Sequence, residues 1–366
     1  MNSLRGALLG VCLAAATLTG CTAASTPIKT QERAQARTAY TEAVTTADGR
    51  ALPLRVWRQP NPQLIILGIH GFNDYSKAYV PLAEMAAKAL NAQVYAYDQR
   101  GFGTNPDAGL WPGDQPLIED IRTVARGLKQ RYPSVPLVVI GESMGGALVL
   151  RAASEPGGLT ADALVLLAPA VWGMQIMPWY QRWSLELLNT LAPDMTFTGR
   201  GIQHLGIRPT DDPVVSRDLS EDPFFIKETR VASLYGISQL MDKALAHPIR
   251  FPTPTLVMYG LNDRIIPPAP TCAWLSRLSL HSEKIPSHVE FVVYPEGWHM
   301  LTRQTRAEEV KKDLREWLQA FLVSKQPSPK IRHSEALATT EKQPTSVSPS
   351  LAPARQAVCN RASGLR

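Results

Sequence analysis

One short stretch of this chain has the residue types that nucleophilic catalysis requires. The stretch is Gly141-Glu142-Ser143-Met144-Gly145, and it lies between an apolar run and a segment with helical character. A strand, a sharp turn and a helix in that order expose a serine hydroxyl above a sheet, and the flanking glycines avoid clashes in so tight a turn. The pattern therefore predicts a nucleophile at Ser143, although so short a motif also arises by chance.

A serine hydroxyl needs a general base within hydrogen-bond reach, and the base needs a group that orients it. In parallel sheets these partners come from loops after later strands, in the order serine, acid, histidine. The apolar run 255–259 leads into Asp263, and the run 289–294 leads into His299. We therefore expect His299 to be the base and Asp263 to hold its tautomer. The structural alternatives are a turn cap for Asp263 and a packed loop histidine for His299.

The oxyanion of a tetrahedral intermediate needs N–H donors. We expect one from the backbone of Met144, directly after the nucleophile. The second is expected from Phe72, because the sequence His70-Gly71-Phe72 follows an early apolar run and glycine lets a backbone approach closely. His70 is interpreted as a residue that fixes this loop rather than as a catalyst.

Apolar runs alternate with helical periodicities along most of the chain. The continuous apolar run 64–69 is typical of a strand that is covered on both faces. Leu117, Ile121, Val124 and Leu128 recur at helical spacing. This alternation predicts an α/β domain over residues 41–323, with a mostly parallel sheet and helices on both faces.

The segment 171–249 interrupts this alternation. It begins with a dense group of Trp, Tyr and Met residues and shows no clear strand. We interpret it as a mainly helical cap inserted above the sheet edge. Its aromatic and Met side chains could form a core of the cap or face an apolar substrate channel or a lipid surface, and both can hold together.

The N-terminal residues 1–20 are typical of a targeting segment. Arg5 precedes the apolar stretch 7–18, which is too short to span a bilayer stably, and the segment ends at Cys21. This arrangement resembles a bacterial lipoprotein signal, which implies lipidation of Cys21 and attachment to a membrane. The alternative is an ordinary secretory signal with an incidental cysteine.

The residue after this cysteine bears on location. It is Thr22 rather than Asp, so the resemblance implies the outer membrane, on the periplasmic side, if the host has two membranes. Residues 21–40 are polar and small, as expected of a tether. Residues 324–366 are rich in Pro, Ser, Thr and charge without periodicity, which predicts a disordered tail.

The charge of the chain is concentrated outside the domain. The net charge is +6, and the tail from Ser324 onward carries seven Lys or Arg and two Glu, so it accounts for +5. A nearly neutral domain without a recognition motif argues against nucleic acid binding. The basic tail is interpreted as solvated, with weak contact to an anionic surface as the alternative.

The cysteines predict neither a metal site nor a disulfide framework. After processing, Cys272 and Cys359 would remain beside the lipidated Cys21. An export compartment would permit a bond between them without requiring one. No metal or other cofactor is expected.

Several of these motifs together resemble those of α/β-hydrolases of the monoacylglycerol lipase and lysophospholipase group. The resemblance covers about residues 41–322. It implies a mobile apolar cap that admits single-chain lipids. Asp98 precedes Ser143 in the chain and is interpreted as structural. The motifs are His70-Gly71-Phe72, Asp98-Gln99-Arg100-Gly101-Phe102-Gly103, Gly141-Glu142-Ser143-Met144-Gly145, Leu219-Ser220-Glu221-Asp222-Pro223, Asn262-Asp263 and Gly297-Trp298-His299.

Three functions are compatible with these residues. The first is a serine carboxylester hydrolase that acts on monoacylglycerol or lysophospholipid esters through an acyl-enzyme. The second is a proline-type aminopeptidase, for which Glu221, Asp222 and Glu228 could bind the substrate amine. The third is a membrane-anchored binding protein with a vestigial site. Epoxide and haloalkane hydrolysis are disfavoured, because those reactions use an aspartate where Ser143 stands. The oligomeric state is left open.

Overall fold

The structure is a computed structural model, and it describes residues 42–198, 207–246, 250–280, 288–325 and 350–364. The predicted signal, the tether and Cys21 lie outside these residues.

The strands occur throughout the described part of the domain. They are β1 (Glu42–Thr45), β2 (Ala51–Trp57), β3 (Leu64–Ile69), β4 (Ala92–Tyr97), β5 (Leu137–Glu142), β6 (Ala163–Leu167), β7 (Thr196–Thr198), β8 (Glu228–Arg230), β9 (Thr255–Gly260) and β10 (Val289–Tyr294).

Helices alternate with these strands. They are α1 (Val80–Leu90), α2 (Asp114–Arg131), α3 (Met144–Ser154), α4 (Trp179–Leu191), α5 (Pro213–Glu221), α6 (Val231–Ala246), α7 (Pro268–Leu280), α8 (Ala307–Lys325) and α9 (Leu351–Ala362). Two short 3₁₀ turns lie at Ser76–Tyr79 and Met174–Ile176.

The central sheet has the strand order β1-β2-β4-β3-β5-β6-β9-β10. The β1–β2 and β2–β4 pairs are antiparallel and the other pairs are parallel, as the alternation of elements predicted. From β3 the chain continues to β4 on one side of the sheet, and from β5 it continues to β6 on the other side. The loops that follow β3 and β5 therefore diverge and form a crevice at the carboxyl edge of the sheet, where ligands bind in folds of this kind.

Strand β3 shows why its sequence is apolar without a break. Ile65 and Leu67 pack in the core on one face, and Leu64 and Ile66 pack in the core on the other. Helices α2 and α3 contribute to the first core, and α1 and α8 contribute to the second. A fully buried side chain of this size contributes about 1.5–3 kcal/mol to stability, so two covered faces select apolar residues at every position.

The described residues between β6 and β9, where the sequence predicts the cap, are mainly helical. Helix α6 buries much of its length against α3. Helix α4 buries none of its residues and exposes Trp179, Trp183, Leu187 and Leu191, which are four residues apart. The cap therefore has one helix that packs in the core and one that exposes apolar residues to solvent. The sequence had allowed both a core and an exposed apolar surface.

The expectation that the cap has no strand is wrong, because the short strands β7 and β8 pair in an antiparallel manner. Each strand has three residues and β7 is fully exposed, so no apolar alternation marks it in the sequence.

The expectation of a disordered tail over residues 324–366 is wrong for residues 350–364. Helix α9 packs on α7 and β10 and buries Leu351, Ala354 and Val358. A disulfide between Cys272 and Cys359 joins α9 to α7. Apolar residues at helical spacing are enough to bury one face of this helix, although the composition around them is that of a disordered segment.

No helix within the described ranges is long and apolar enough to cross a membrane.

Candidate active site

Ser143 occupies the sharp turn between β5 and α3. Its φ is +55° and its ψ is −116°, which is a strained conformation for a residue with a side chain. The last residue of β6 and the loop after it bond to the backbone N–H and the backbone carbonyl of this residue. The Ser143 N–H donates to the Leu167 carbonyl at 2.9 Å, and the Ala170 N–H donates to the Ser143 carbonyl at 3.0 Å. Neighbouring backbone therefore maintains the strained turn, and this turn presents the hydroxyl to His299.

The two glycines of the motif are required by close packing of backbone. A Cβ on Gly141 would lie 2.5 Å from the carbonyl oxygen of Gly145. A Cβ on Gly145 would lie 2.0 Å from the carbonyl oxygen of Ile69, at the end of β3. The glycines thus allow the nucleophile turn to lie directly against the loop that follows β3.

The structure brings Ser143, His299 and Asp263 together in one hydrogen-bonded chain. His299 Nε2 lies 2.9 Å from Ser143 Oγ, and His299 Nδ1 lies 2.7 Å from Asp263 Oδ2. All three side chains are buried. An ionised carboxylate can only accept, so Nδ1–H donates to Asp263 and Nε2 is left to accept the Ser143 proton. The three residues lie where the sequence predicted, after β5, β9 and β10.

Asp263 uses its two carboxylate oxygens differently. Oδ1 accepts the backbone N–H groups of Ile265 and Ile266, each at 2.8 Å, and Oδ2 accepts from His299. The turn cap that stood as the alternative role is therefore present together with the contact to the histidine. Because two backbone donors fix Oδ1, the carboxylate cannot rotate away from the imidazole.

The environment of His299 favours its protonated form. Burial by itself lowers the pKa of His299, but the charge and the hydrogen bond of Asp263, with the charge of Glu142, outweigh burial and raise this pKa. A base whose pKa lies above the usual histidine value accepts a proton readily and stabilises the imidazolium that forms.

The loop after β3 lies against the nucleophile. A Cβ on Gly71 would lie 3.2 Å from the Ser143 Cβ. The Phe72 ring contacts the rings of Phe102 and Trp111 edge-on or tilted. Met144 is the first residue of α3, where backbone N–H groups have no partner within the helix. These positions are compatible with the predicted N–H donors of Phe72 and Met144, whose role stays a prediction.

His70 and Asp98 have the surroundings of structural residues. His70 Nε2 accepts the Gln99 N–H at 3.0 Å, and its Nδ1 bonds to the Gly71 carbonyl at 2.8 Å. Burial lowers the pKa of His70, which favours the neutral ring. Asp98 accepts the backbone N–H groups of Ser76 and Thr104. Neither residue touches the Ser143–His299–Asp263 chain, which agrees with the interpretation from sequence.

A buried charged cluster beside the site was missed by sequence reasoning. Arg303 Nη2 donates to Asp74 Oδ2 at 2.7 Å and to Glu142 Oε2 at 2.9 Å. Asp74 and Glu142 are buried, and the Arg303 side chain is 9% exposed. The one sign of this cluster in the sequence is Glu142, an acid at the end of an apolar strand. Its partner Arg303 could not be identified from the sequence, because it is 161 residues away.

Two of the acids that could bind a substrate amine differ in their surroundings. Asp222 is buried and accepts from Tyr75 Oη at 2.8 Å and from Lys77 Nζ at 2.7 Å. Glu221 is exposed at the end of α5. In the described part of the chain, no group of three or more His, Cys, Asp or Glu side chains is placed to hold a metal ion.

The sheet order and the position of Ser143, Asp263 and His299 at its carboxyl edge define an α/β-hydrolase. The family model described as "Serine aminopeptidase, S33" matches residues 60–306, and the chain belongs to this family. It is a hydrolase.

Proteins named as lipases are similar to this chain at modest identity. Monoacylglycerol lipase of Mycolicibacterium smegmatis is 26% identical over 275 residues, which is 73% of this chain and 92% of that protein. Monoglyceride lipase of Homo sapiens is 26% identical over 233 residues, which is 60% of this chain and 72% of that protein.

A solved structure has the same fold. Monoacylglycerol lipase of Paleococcus ferrophilus superposes with a TM-score of 0.59 at 20% sequence identity, covering 74% of this chain and 99% of that one.

Proposed function

We propose that this protein is a serine carboxylester hydrolase that acts on single-chain lipid esters, such as monoacylglycerol or lysophospholipid, through an acyl-enzyme. The observation that carries the proposal is the hydrogen-bonded chain from Ser143 Oγ through His299 to Asp263. Such a chain removes the proton from a hydroxyl as the hydroxyl attacks a carbonyl carbon.

The reaction would proceed in two halves. Ser143 Oγ attacks the ester carbonyl while its proton passes to His299 Nε2, and the oxyanion accepts N–H groups from Phe72 and Met144. Collapse of the tetrahedral intermediate breaks the bond to the alcohol, which leaves with the proton from His299. Water then gives a proton to His299 and attacks the acyl group, and Ser143 is released with its proton restored. Asp263 carries the negative charge that balances the imidazolium in both halves.

Two observations support a lipid acyl chain as the substrate. The chain is similar to lipases whose printed names specify monoacylglycerol or monoglyceride. Helix α4 of the cap presents an apolar face, with Trp179 75% exposed and Trp183 68% exposed. Exposed apolar area of this kind marks sites of contact with a lipid surface, a ligand or another protein. The aminopeptidase alternative has less support, because Lys77 already neutralises Asp222.

The test compares wild type, Ser143→Ala and the control Ser154→Ala on a p-nitrophenyl acyl series, on monoacylglycerol and on prolyl amides. We expect wild type and Ser154→Ala to hydrolyse the esters and a fluorophosphonate to label Ser143. Equal ester hydrolysis by Ser143→Ala would refute the proposal. Amide cleavage without ester cleavage would establish the aminopeptidase, and absence of labelling in wild type would favour a vestigial site.

We also propose that the protein is exported and held on a membrane through lipidated Cys21. The signal-like residues 1–20 support this proposal, and so does the Cys272–Cys359 disulfide, because such bonds persist in oxidising compartments. Fractionation and intact-mass analysis of wild type and Cys21→Ser provide the test. We expect an acylated wild type in the membrane fraction and a variant without the lipid. An unmodified wild type in the soluble fraction would overturn the proposal.

A further inference from the structure

Three loops of the active site meet at one guanidinium. Glu142 directly precedes the nucleophile, and Asp74 follows Phe72 by two residues. Arg303 follows His299 by four residues, and its Nη2 atom bonds to both carboxylates. A single buried group therefore joins the loop of the nucleophile, the loop of the expected oxyanion donor and the loop of the base.

This cluster is a poor device for stability alone. The side chains of Arg303, Asp74 and Glu142 are 9%, 4% and 5% exposed, so three charges have lost most of their hydration. The desolvation cost of buried ion pairs commonly offsets their attraction, and apolar residues of similar size serve stability at least as well. Such a cluster can instead fix relative positions, because the guanidinium bonds to both carboxylates only in one arrangement of the three loops.

We propose that Arg303 is a positioning residue of the active site, an inference that rests on the proposed function. By binding both Glu142 and Asp74, Arg303 fixes the positions of the Ser143 turn and the Gly71–Phe72 backbone relative to the His299 loop. Displacement of a reacting group by about 1 Å can cost about 10²-fold in rate, so a residue that touches neither substrate nor the reacting atoms can still limit turnover.

The clamp also places charge beside the base. The charged groups that face His299 are Asp263 from the loop after β9, Glu142 from β5 and Arg303 from its own loop. Asp263 and Glu142 favour the imidazolium and Arg303 opposes it. Burial is the largest effect on the Glu142 carboxyl and raises its pKa. The charge and the hydrogen bond of Arg303 oppose this rise but do not cancel it.

The experiment compares three variants of the cluster with a matched control. Arg303→Met removes the clamp, Arg303→Lys retains its charge, and Glu142→Gln retains an acceptor for Arg303 but loses the charge. The control is Arg151→Met. Arg151 lies near the end of α3, is 3% exposed and also pairs with two carboxylates, those of Asp114 and Glu155. Ester hydrolysis, its pH profile and the thermal unfolding midpoint are measured for each.

We expect Arg303→Met to lower kcat about 10²-fold with KM changed by less than about threefold. Arg303→Lys should recover part of kcat. Glu142→Gln should move the acid-side half-point of kcat/KM to lower pH, because loss of its charge lowers the pKa of His299. Arg151→Met should lower only the unfolding midpoint.

The proposal is overturned if Arg303→Met and Arg151→Met both change only the unfolding midpoint. If Arg303→Met does not fold, Arg303→Lys and Glu142→Gln decide the matter, and wild-type kcat and pH profile in both would overturn it. Failure of the proposed function is distinguishable, because wild type itself would then neither hydrolyse esters nor react with a fluorophosphonate at Ser143.

Discussion

Replacement of Asp263 by asparagine tests the role of the carboxylate with almost no change of shape. In the structure, Oδ1 accepts the backbone N–H groups of Ile265 and Ile266. The amide oxygen of an asparagine would keep these two bonds, so its NH₂ group would face His299 Nδ1. A donor at that position requires Nδ1 to accept, and the ring proton then resides on Nε2. The imidazole would present a donor to Ser143 instead of an acceptor.

The expected loss follows from this tautomer. A base that already carries its proton cannot take another from the serine, and in serine hydrolases with this arrangement the same replacement lowers kcat about 10⁴-fold. That factor corresponds to about 5 kcal/mol of transition-state stabilisation. The free energy of unfolding should change little, because the two backbone bonds of the turn are retained.

The assay is p-nitrophenyl ester hydrolysis at saturating substrate, with thermal unfolding measured in parallel. The control is Asp162→Asn, because Asp162 also accepts a backbone N–H, that of Leu137 at 2.8 Å, at the opposite edge of the sheet. We expect wild-type kcat in this control. The reasoning is refuted if folded Asp263→Asn retains more than about a tenth of wild-type kcat.

Three other outcomes are expected. The acid-side half-point of kcat/KM in wild type should lie above the usual histidine pKa of about 6.5, since the pKa of His299 is raised; a half-point below it would contradict that electrostatic account. The double variant Cys272→Ser/Cys359→Ser should unfold at a lower guanidinium concentration than the oxidised protein. Its free energy of unfolding should be lower by up to roughly 4–5 kcal/mol, because the bond closes a separation of 87 residues, and coincident unfolding curves would exclude this. Trp179→Ser/Trp183→Ser should bind lipid vesicles and hydrolyse emulsified monoacylglycerol less well at unchanged activity on soluble short-chain esters, and an equal loss on both substrates would argue against a lipid-facing α4.

The hydrogen-bonded arrangement of Ser143, His299 and Asp263 could be predicted because its information is local. Each of Ser143, Asp263 and His299 follows an apolar run within five residues, and parallel strands bring such loops to one edge of the sheet. The glycines two residues before and after Ser143 likewise indicated a tight turn at this position. A short window of sequence therefore contained both the residue and the reason for its position.

Features that depend on distant partners could not be predicted. Arg303 pairs with Asp74 across 229 residues, and either residue alone is typical of a solvated loop. Helix α9 was obscured by its composition, since only Leu351, Ala354 and Val358 carry the helical pattern, and their burial depends on a surface of α7 and β10 that no local rule describes.

Helix α9 has a consequence for how these molecules behave at high concentration. Strand β10 lies at one edge of the central sheet, and an uncovered edge strand can pair with a strand of another molecule. Here α9 packs along β10, and the Ser350 hydroxyl accepts the Phe291 N–H at 2.8 Å. The disulfide keeps this cover covalently in place. We therefore expect this segment to hinder edge-to-edge aggregation, and truncation before Ser350 should reduce solubility before it reduces activity.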